Sequence, residues 1–160
     1  MIPLSNKEKR KLFVDMLNLY SIDLRNMFKK EQIFKLEKEK VLVAGNKPIV
    51  FYKDNIPYPT LQLLVLVEDF DIPYVIVDEG AKPHILNGAD IFRPGVVEYD
   101  EKVTKDKAVI VVSEDKKLLC IGKSLYNGSE LKNISKGKII LNLHYYGDKI
   151  FDLEKQLSKK

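Results

Sequence analysis

Short β-rich runs, each closed by turn residues, recur along this chain at intervals that leave little room for long helices. Residues 31–36, 41–44 and 49–52 read as strands, the last two joined by Gly45-Asn46-Lys47-Pro48 as a hairpin turn of about four residues. Residues 74–77, 96–99, 108–112, 118–123 and 138–144 read as five more, with 108–112 fully buried and 118–123 returning through the turn 114–117. Among these later strands only two short helices find room, one ending near Asn87 and one over 128–132. Many short strands with few helices predict a small barrel-like sheet.

The first part of the chain differs. Ser5 and Glu8 have capping-box spacing, and Leu12, Phe13, Met16, Leu17 and Tyr20 then fall on one helical face, which predicts an amphipathic helix over residues 6–20. Lys7, Lys9, Arg10 and Lys11 occupy the other face, which reads as solvated. The run 61–67 fits a buried helix or a strand by periodicity; Thr60 as N-cap, with Pro59 before it, favours the helix. The acidic, proline-broken stretch 68–73 is the best boundary, giving domains 1–72 and 73–160 with no long linker. The fold class is therefore α+β: a small N-terminal α+β domain packed on a pseudo-barrel of short strands with two short helices.

Composition narrows the function classes. With 160 residues, 45% hydrophobic and 31% charged, the chain has the make-up of a soluble globular protein. No apolar run approaches the roughly 20 residues of a membrane span and no signal-peptide core opens the chain, so a cytoplasmic protein is expected. A net charge of +4 permits a polyanionic partner but is modest for binding by charge alone.

Catalytic chemistry finds little support. The single cysteine, Cys120, sits in an apolar strand pattern. The two histidines, His84 and His144, lack neighbours at ligand spacing, so neither a metal site nor a cofactor is expected. Adjacent carboxylates such as 68–69, 78–79 and 100–101 point apart, and neither a P-loop nor a GxGxxG pattern is present. A different chemistry is suggested by residues 84–95. Gly88 and Gly95 let a ligand approach the main chain, and Pro94 stiffens a turn that presents Arg93; amides and a planar guanidinium together suit phosphate. The same residues also fit a surface loop whose glycines only turn the chain. At the far end, His144-Tyr145-Tyr146 places three rings before a turn that displays Lys149, and rings beside cations suit unstacked RNA bases. Alternation along a strand buries one of the two tyrosines.

These pieces resemble a known family. Val77-Asp78-Glu79-Gly80-Ala81, then the block from Leu86 through Gly88-Ala89-Asp90 to Arg93-Pro94-Gly95, then Ile121-Gly122-Lys123 and His144-Tyr145-Tyr146-Gly147-Asp148, resemble a PUA domain. Upstream, Tyr58-Pro59-Thr60-Leu61-Gln62-Leu63-Leu64 is similar to the end of the pre-PUA region in malignant T-cell amplified sequence proteins and their archaeal counterparts. The resemblance implies a non-catalytic RNA-binding protein, meeting RNA through the glycine loop and the last strand. On matching positions it nominates Asn87, Gly88, Ala89, Arg93 and Gly95 from the loop, with Tyr145 and Lys149 from the strand and turn. Lys82, His84 and Lys123 join them on charge and expected exposure. Phe151 stands where many relatives would carry tryptophan. The implied partners are structured RNA, tRNA or rRNA, the small ribosomal subunit in translation initiation or recycling, and a protein partner at the N-terminal domain. Two other readings stay open: an accessory RNA-binding subunit of a tRNA-modifying enzyme in a pseudouridylation or archaeosine pathway, and a module devoted mainly to protein interaction.

Overall fold

The computed structural model describes residues 1–28, 30–67 and 69–159; Glu68, which opens the expected boundary stretch, and Lys160 lie outside them. The chain divides into two compact units, one of Met1–Asp71 with Lys149–Lys160, the other Ile72–Asp148.

The first unit begins with β1 (Ile2–Pro3), α1 (Asn6–Tyr20) and α2 (Leu24–Phe28). The capping box forms as its spacing predicts: Glu8 N donates to Ser5 Oγ (3.1 Å) and Ser5 N to Glu8 Oε1 (3.0 Å), satisfying two amides that the first helical turn leaves unpaired. That contact, with Lys35 beside it, holds the Glu8 carboxyl down at about 2. Leu12, Met16 and Tyr20 bury one stripe of α1, whereas Leu17 lies outside it and stays 44% exposed. There follow β2 (Ile33–Leu36), β3 (Val41–Ala44), β4 (Lys47–Lys53) and β5 (Ile56–Pro59), an antiparallel five-stranded sheet in the order β1-β2-β3-β4-β5. The β3–β4 turn is tighter than expected, because Ala44 pairs with Lys47 and Val43 with Pro48, leaving only Gly45 and Asn46 between the strands. Asp54 and Asn55, at φ 52° and 64°, form a second two-residue hairpin, and the β5 strand it creates had no counterpart in the sequence reading. Thr60 decides the ambiguous run after it. Its Oγ1 accepts from Leu63 N (3.1 Å) and its hydroxyl donates to Pro48 O (2.8 Å), so α3 (Leu61–Leu66) is a helix.

The second unit contains β6 (Tyr74–Val77), α4 (Lys82–Ile85), β7 (Ile91–Phe92), a 3₁₀ turn (Arg93–Gly95), β8 (Val96–Tyr99), β9 (Ala108–Ser113), β10 (Leu118–Ser124), α5 (Gly128–Leu131) and β11 (Lys138–Tyr145). Its strand order is β7-β11-β10-β9-β6-β8, with β6 and β9 parallel and the other pairs antiparallel. β7 and β8 therefore occupy opposite edges of a six-stranded sheet, yet only the three residues of the 3₁₀ turn separate them in sequence. So short a link cannot span a flat sheet of that width, since strands lie about 4.8 Å apart. The sheet must curl until its edges nearly meet, and a pseudo-barrel results.

The barrel interior is filled by Val75, Val77, Val109, Val111, Leu119, Ile139 and Ile140, with Ile85, Val103 and Leu131 closing in from the connections. Only alternate residues of β9 face inward: Ile110 and Val112 are half-buried, so this strand is not buried on both faces. Gly122 leaves no room for a side chain beside β11, for an added Cβ would lie 2.5 Å from Leu141 O.

The last helix, α6 (Lys149–Ser158), packs on β4 and belongs to the first unit. Gln62 Nε2 donates to Phe151 O (3.0 Å), Lys47 approaches Glu154 (3.6 Å) and Leu153 is buried. The second unit thus closes at Asp148, short of the expected 73–160, because an amphipathic helix after the barrel finds its apolar partner on the N-terminal sheet.

Candidate nucleic-acid interface

Three short-range features of the barrel set the geometry of residues 80–95. Asp78 Oδ1 accepts from Ala81 N (2.9 Å) and fixes the turn into α4, which Pro83 helps to start. The helix then closes on itself. Leu86 N donates to Lys82 O, Asn87 N and Ala89 N both donate to His84 O, and Gly88 N donates to Ile85 O, all at 3.0–3.1 Å. Gly88 makes this possible at φ 95°, a conformation that side-chain-bearing residues avoid.

These bonds correct one expectation. The amides of residues 86–89 are already used by helix carbonyls, so the loop does not offer a row of free N–H groups to phosphate. Arg93 is the second correction. Its Nε donates to Leu131 O (3.0 Å), its Nη1 donates to Val96 O (3.3 Å), and its guanidinium lies over the Tyr99 ring at 5.5 Å. With Arg93 N also bonded to Gly137 O (2.8 Å), the residue fastens the turn that closes the barrel rather than displaying a cation. Gly95 serves the same closure: its carbonyl accepts from Asp78 N, and an added Cβ would approach Ala81 Cβ to 3.1 Å.

The structure does join the loop to the closing strand. A Cβ on Gly88 would lie 3.3 Å from the Tyr145 ring, so the bare glycine and the half-buried tyrosine form one continuous surface. Asn142, which the sequence reading passed over, holds them together. Its Nδ2 donates to Ile85 O (3.1 Å) and Ala89 O (2.9 Å), while its amide donates to Asp90 Oδ1 (2.8 Å). A lone amide side chain within Ile139-Ile140-Leu141-Asn142-Leu143 was the available clue, since a polar group in an apolar strand needs partners.

The remaining nominated residues divide. Asn87 and His84 are exposed beside Gly88, and Ala89 is half-buried under the loop. Lys82 reaches toward Asp115 (3.9 Å), and Lys123 is half-buried on β10 with no ion pair among the described residues. Lys149 is exposed at the start of α6, in the first unit. Of the three terminal rings, His144 is fully buried against Asp148 (2.9 Å), Tyr145 is half-buried and Tyr146 is 57% exposed. Cys120 is wholly buried, and burial pushes its thiol pKa up, with Asp90 and Asp148 adding to the shift. Among the described residues no group of three or more His, Cys, Asp or Glu side chains is placed to hold a metal ion. No described helix is long and apolar enough to cross a membrane.

A curled six-stranded sheet whose glycine loop lies over its last strand defines a PUA-domain protein. The PUA domain model matches residues 73–146, and the model described as Domain of unknown function (DUF1947) matches residues 3–66. Two solved structures are similar over most of the chain. A conserved PUA domain protein from Thermoplasma acidophilum superposes with a TM-score of 0.75 at 29% identity, covering 94% of this chain and 96% of that one. A hypothetical protein from Pyrococcus horikoshii superposes with a TM-score of 0.77 at 28% identity, covering 95% and 98%. In sequence, an uncharacterized protein of Methanocaldococcus jannaschii is 44% identical over 72% of this chain and 71% of its own length. Malignant T-cell-amplified sequence 1-A of Xenopus laevis is 31% identical over 74% and 67%, and Translation machinery-associated protein 20 of Schizosaccharomyces pombe 33% over 77% and 72%. The chain belongs to this family of proteins, which joins a DUF1947 domain to a PUA domain and includes the malignant T-cell-amplified sequence proteins.

Proposed function

We propose that this protein is a non-catalytic RNA-binding protein that works with tRNA or the small ribosomal subunit in translation initiation or recycling, and that RNA meets the face made by Gly88 and Tyr145. The observation that carries the reading is the contact of Gly88 with the Tyr145 ring, held by Asn142, within a PUA domain. A Cβ-free backbone beside an aromatic ring lets a nucleotide come close and gives its base a flat surface, with Asn87, Ala89 and His84 at the margin. Lys82 and Lys123 supply nearby charge for phosphates, and Lys149 belongs to the proposed set as the exposed cation after the strand. The translation setting is supported by the relative from Schizosaccharomyces pombe, named for its association with the translation machinery.

The test is direct binding of the purified chain to total tRNA and to isolated small ribosomal subunits over a salt titration. Saturable binding that weakens as salt rises is expected, because lysine–phosphate contacts release counterions. Absence of binding to both, at low salt, would refute the reading.

A further inference from the structure

The turn that joins β9 to β10 places one carboxylate between two lysines. Ser113, fully buried at the end of β9, accepts from Lys117 N (3.1 Å) and donates its hydroxyl to Asp115 Oδ1. One carboxylate oxygen is thereby held to the barrel. The other, Oδ2, faces two ammonium groups: Lys82 Nζ from the start of α4 at 3.9 Å, and Lys117 Nζ from just before β10 at 3.7 Å. Neither comes within hydrogen-bond distance. The Lys11–Asp15, Lys35–Glu8 and Lys138–Asp90 pairs, by contrast, close to 2.9–3.0 Å. The Ser113 hydrogen bond and, after it, the two lysines hold the Asp115 carboxyl below its usual range, so it is ionised at neutral pH. Two cations converging on a space that one carboxylate oxygen does not fill suit a larger anion, such as a phosphodiester with its pair of unesterified oxygens. The place adjoins the proposed face. Lys82 opens α4, which runs toward the Gly88 bend, and Cys120, on the strand that Lys117 leads into, pairs with Tyr145.

We propose that Asp115 is a built-in competitor for RNA phosphate: it occupies the point where Lys82 and Lys117 converge and holds the domain's affinity for RNA below what those lysines would give. The inference rests on the RNA-binding reading above and adds a control of affinity to it. Because Ser113 fixes Oδ1, the carboxylate does not swing aside when a phosphate arrives. The phosphate therefore meets a like charge, which repels it at that spacing. Over residues 72–148 acidic side chains equal basic ones, eleven of each, so the barrel has no surplus positive charge with which to hold any polyanion. Asp115 makes that balance local. Binding by charge alone is kept weak, and an RNA must also engage the Gly88 and Tyr145 face to stay bound.

The experiment measures binding of fluorescently labelled total tRNA to the intact chain by anisotropy, from low to high salt, with folding checked by urea unfolding. Asp115→Asn keeps an oxygen for the Ser113 hydroxyl and removes the charge. Glu114→Gln makes the same charge change at the exposed neighbouring position, away from the two lysines. Asp115→Asn should bind tRNA about fivefold more tightly than wild type at low salt, the effect of relieving one like charge a few ångströms away in water. That gain should fade as salt rises. Glu114→Gln should stay within about twofold of wild type, since an exposed charge is largely screened. Replacing Lys82 and Lys117 together by glutamine should weaken binding and flatten its log–log salt slope by about 2, and Asp115→Asn should gain nothing in that background. Unchanged or weaker binding by folded Asp115→Asn, an equal gain from Glu114→Gln, or a gain that persists without the two lysines would overturn the inference. If wild type binds tRNA in those cases, the competitor role alone is wrong; if neither wild type nor Asp115→Asn binds at low salt, the RNA-binding reading falls with it.

Discussion

Two glycine-containing bends lie within eight residues of each other in this chain, Asn87-Gly88 and Arg93-Pro94-Gly95, and they do opposite jobs. The first spends its amides on α4 and turns a side-chain-free backbone toward the Tyr145 ring. The second closes the barrel: β7 and β8 are opposite edges of the sheet, and Arg93 ties the link between them to Leu131 O and Val96 O. Similar local composition therefore yields a binding face in one place and a structural fastening in the other. What separates them is the set of acceptors within reach. A guanidinium has five donors, and two of those of Arg93 are taken by backbone carbonyls of the barrel before any ligand arrives.

The comparison can be broken most decisively at Arg93. Arg93→Ala removes hydrogen bonds from a charged group to two carbonyls, and such bonds are worth about 1.5–3 kcal/mol. The midpoint of urea unfolding should fall accordingly, while RNA affinity of the folded protein changes little. Asn142→Ala comes next. It strands Ile85 O and Ala89 O, with an expected cost of about 1–3 kcal/mol, and it also loosens the loop from Tyr145. Unlike Arg93→Ala, this variant should lose RNA affinity even at temperatures where it stays folded.

Gly88→Ala sharpens the contrast with a smaller stability change, about 1 kcal/mol for a side chain forced to positive φ. The new methyl group would press on the Tyr145 ring, so the loss of RNA affinity should exceed the loss in stability. The smallest effect is expected far from both bends, at the α1 cap. The Glu8 carboxyl is held at about 2, below its ordinary value, so the stabilisation it gives is present above the usual carboxylate range and is lost as pH falls toward 2. Unfolding curves between pH 5 and 2 should show this dependence in the native chain and less of it in Glu8→Gln.

Much of this architecture was legible in the residues because it is local. The capping box of Ser5 and Glu8 and the Thr60 cap lie within a few residues of the partners that define them, and the β-rich runs from 74 to 144 show in their own residue types. The features that escaped depend on partners far along the chain. Arg93 meets Leu131 O thirty-eight positions away, and Asn142 meets Ile85 O at fifty-seven. No spacing rule reports such a pair. The C-terminal helix escaped for the same reason: its amphipathic pattern says that one face must be buried, not that the burying surface is the N-terminal sheet. The β5 strand was missed differently. Asp54 and Asn55 are ordinary loop residues until both adopt positive φ and make a two-residue hairpin. In the site itself, the order of the glycine loop and closing strand was readable, but which groups were already occupied was not.

The most direct test compares RNA affinity of Tyr145→Leu with that of Arg93→Lys, in the intact chain, against total tRNA at one salt concentration. Loss of the ring should weaken binding by roughly ten- to a hundredfold, the range of one base–aromatic stack, while Arg93→Lys should leave it within about twofold once folding is confirmed. The reverse pattern, with Tyr145→Leu silent and Arg93→Lys crippled, would mean that the fastening is the binding residue after all.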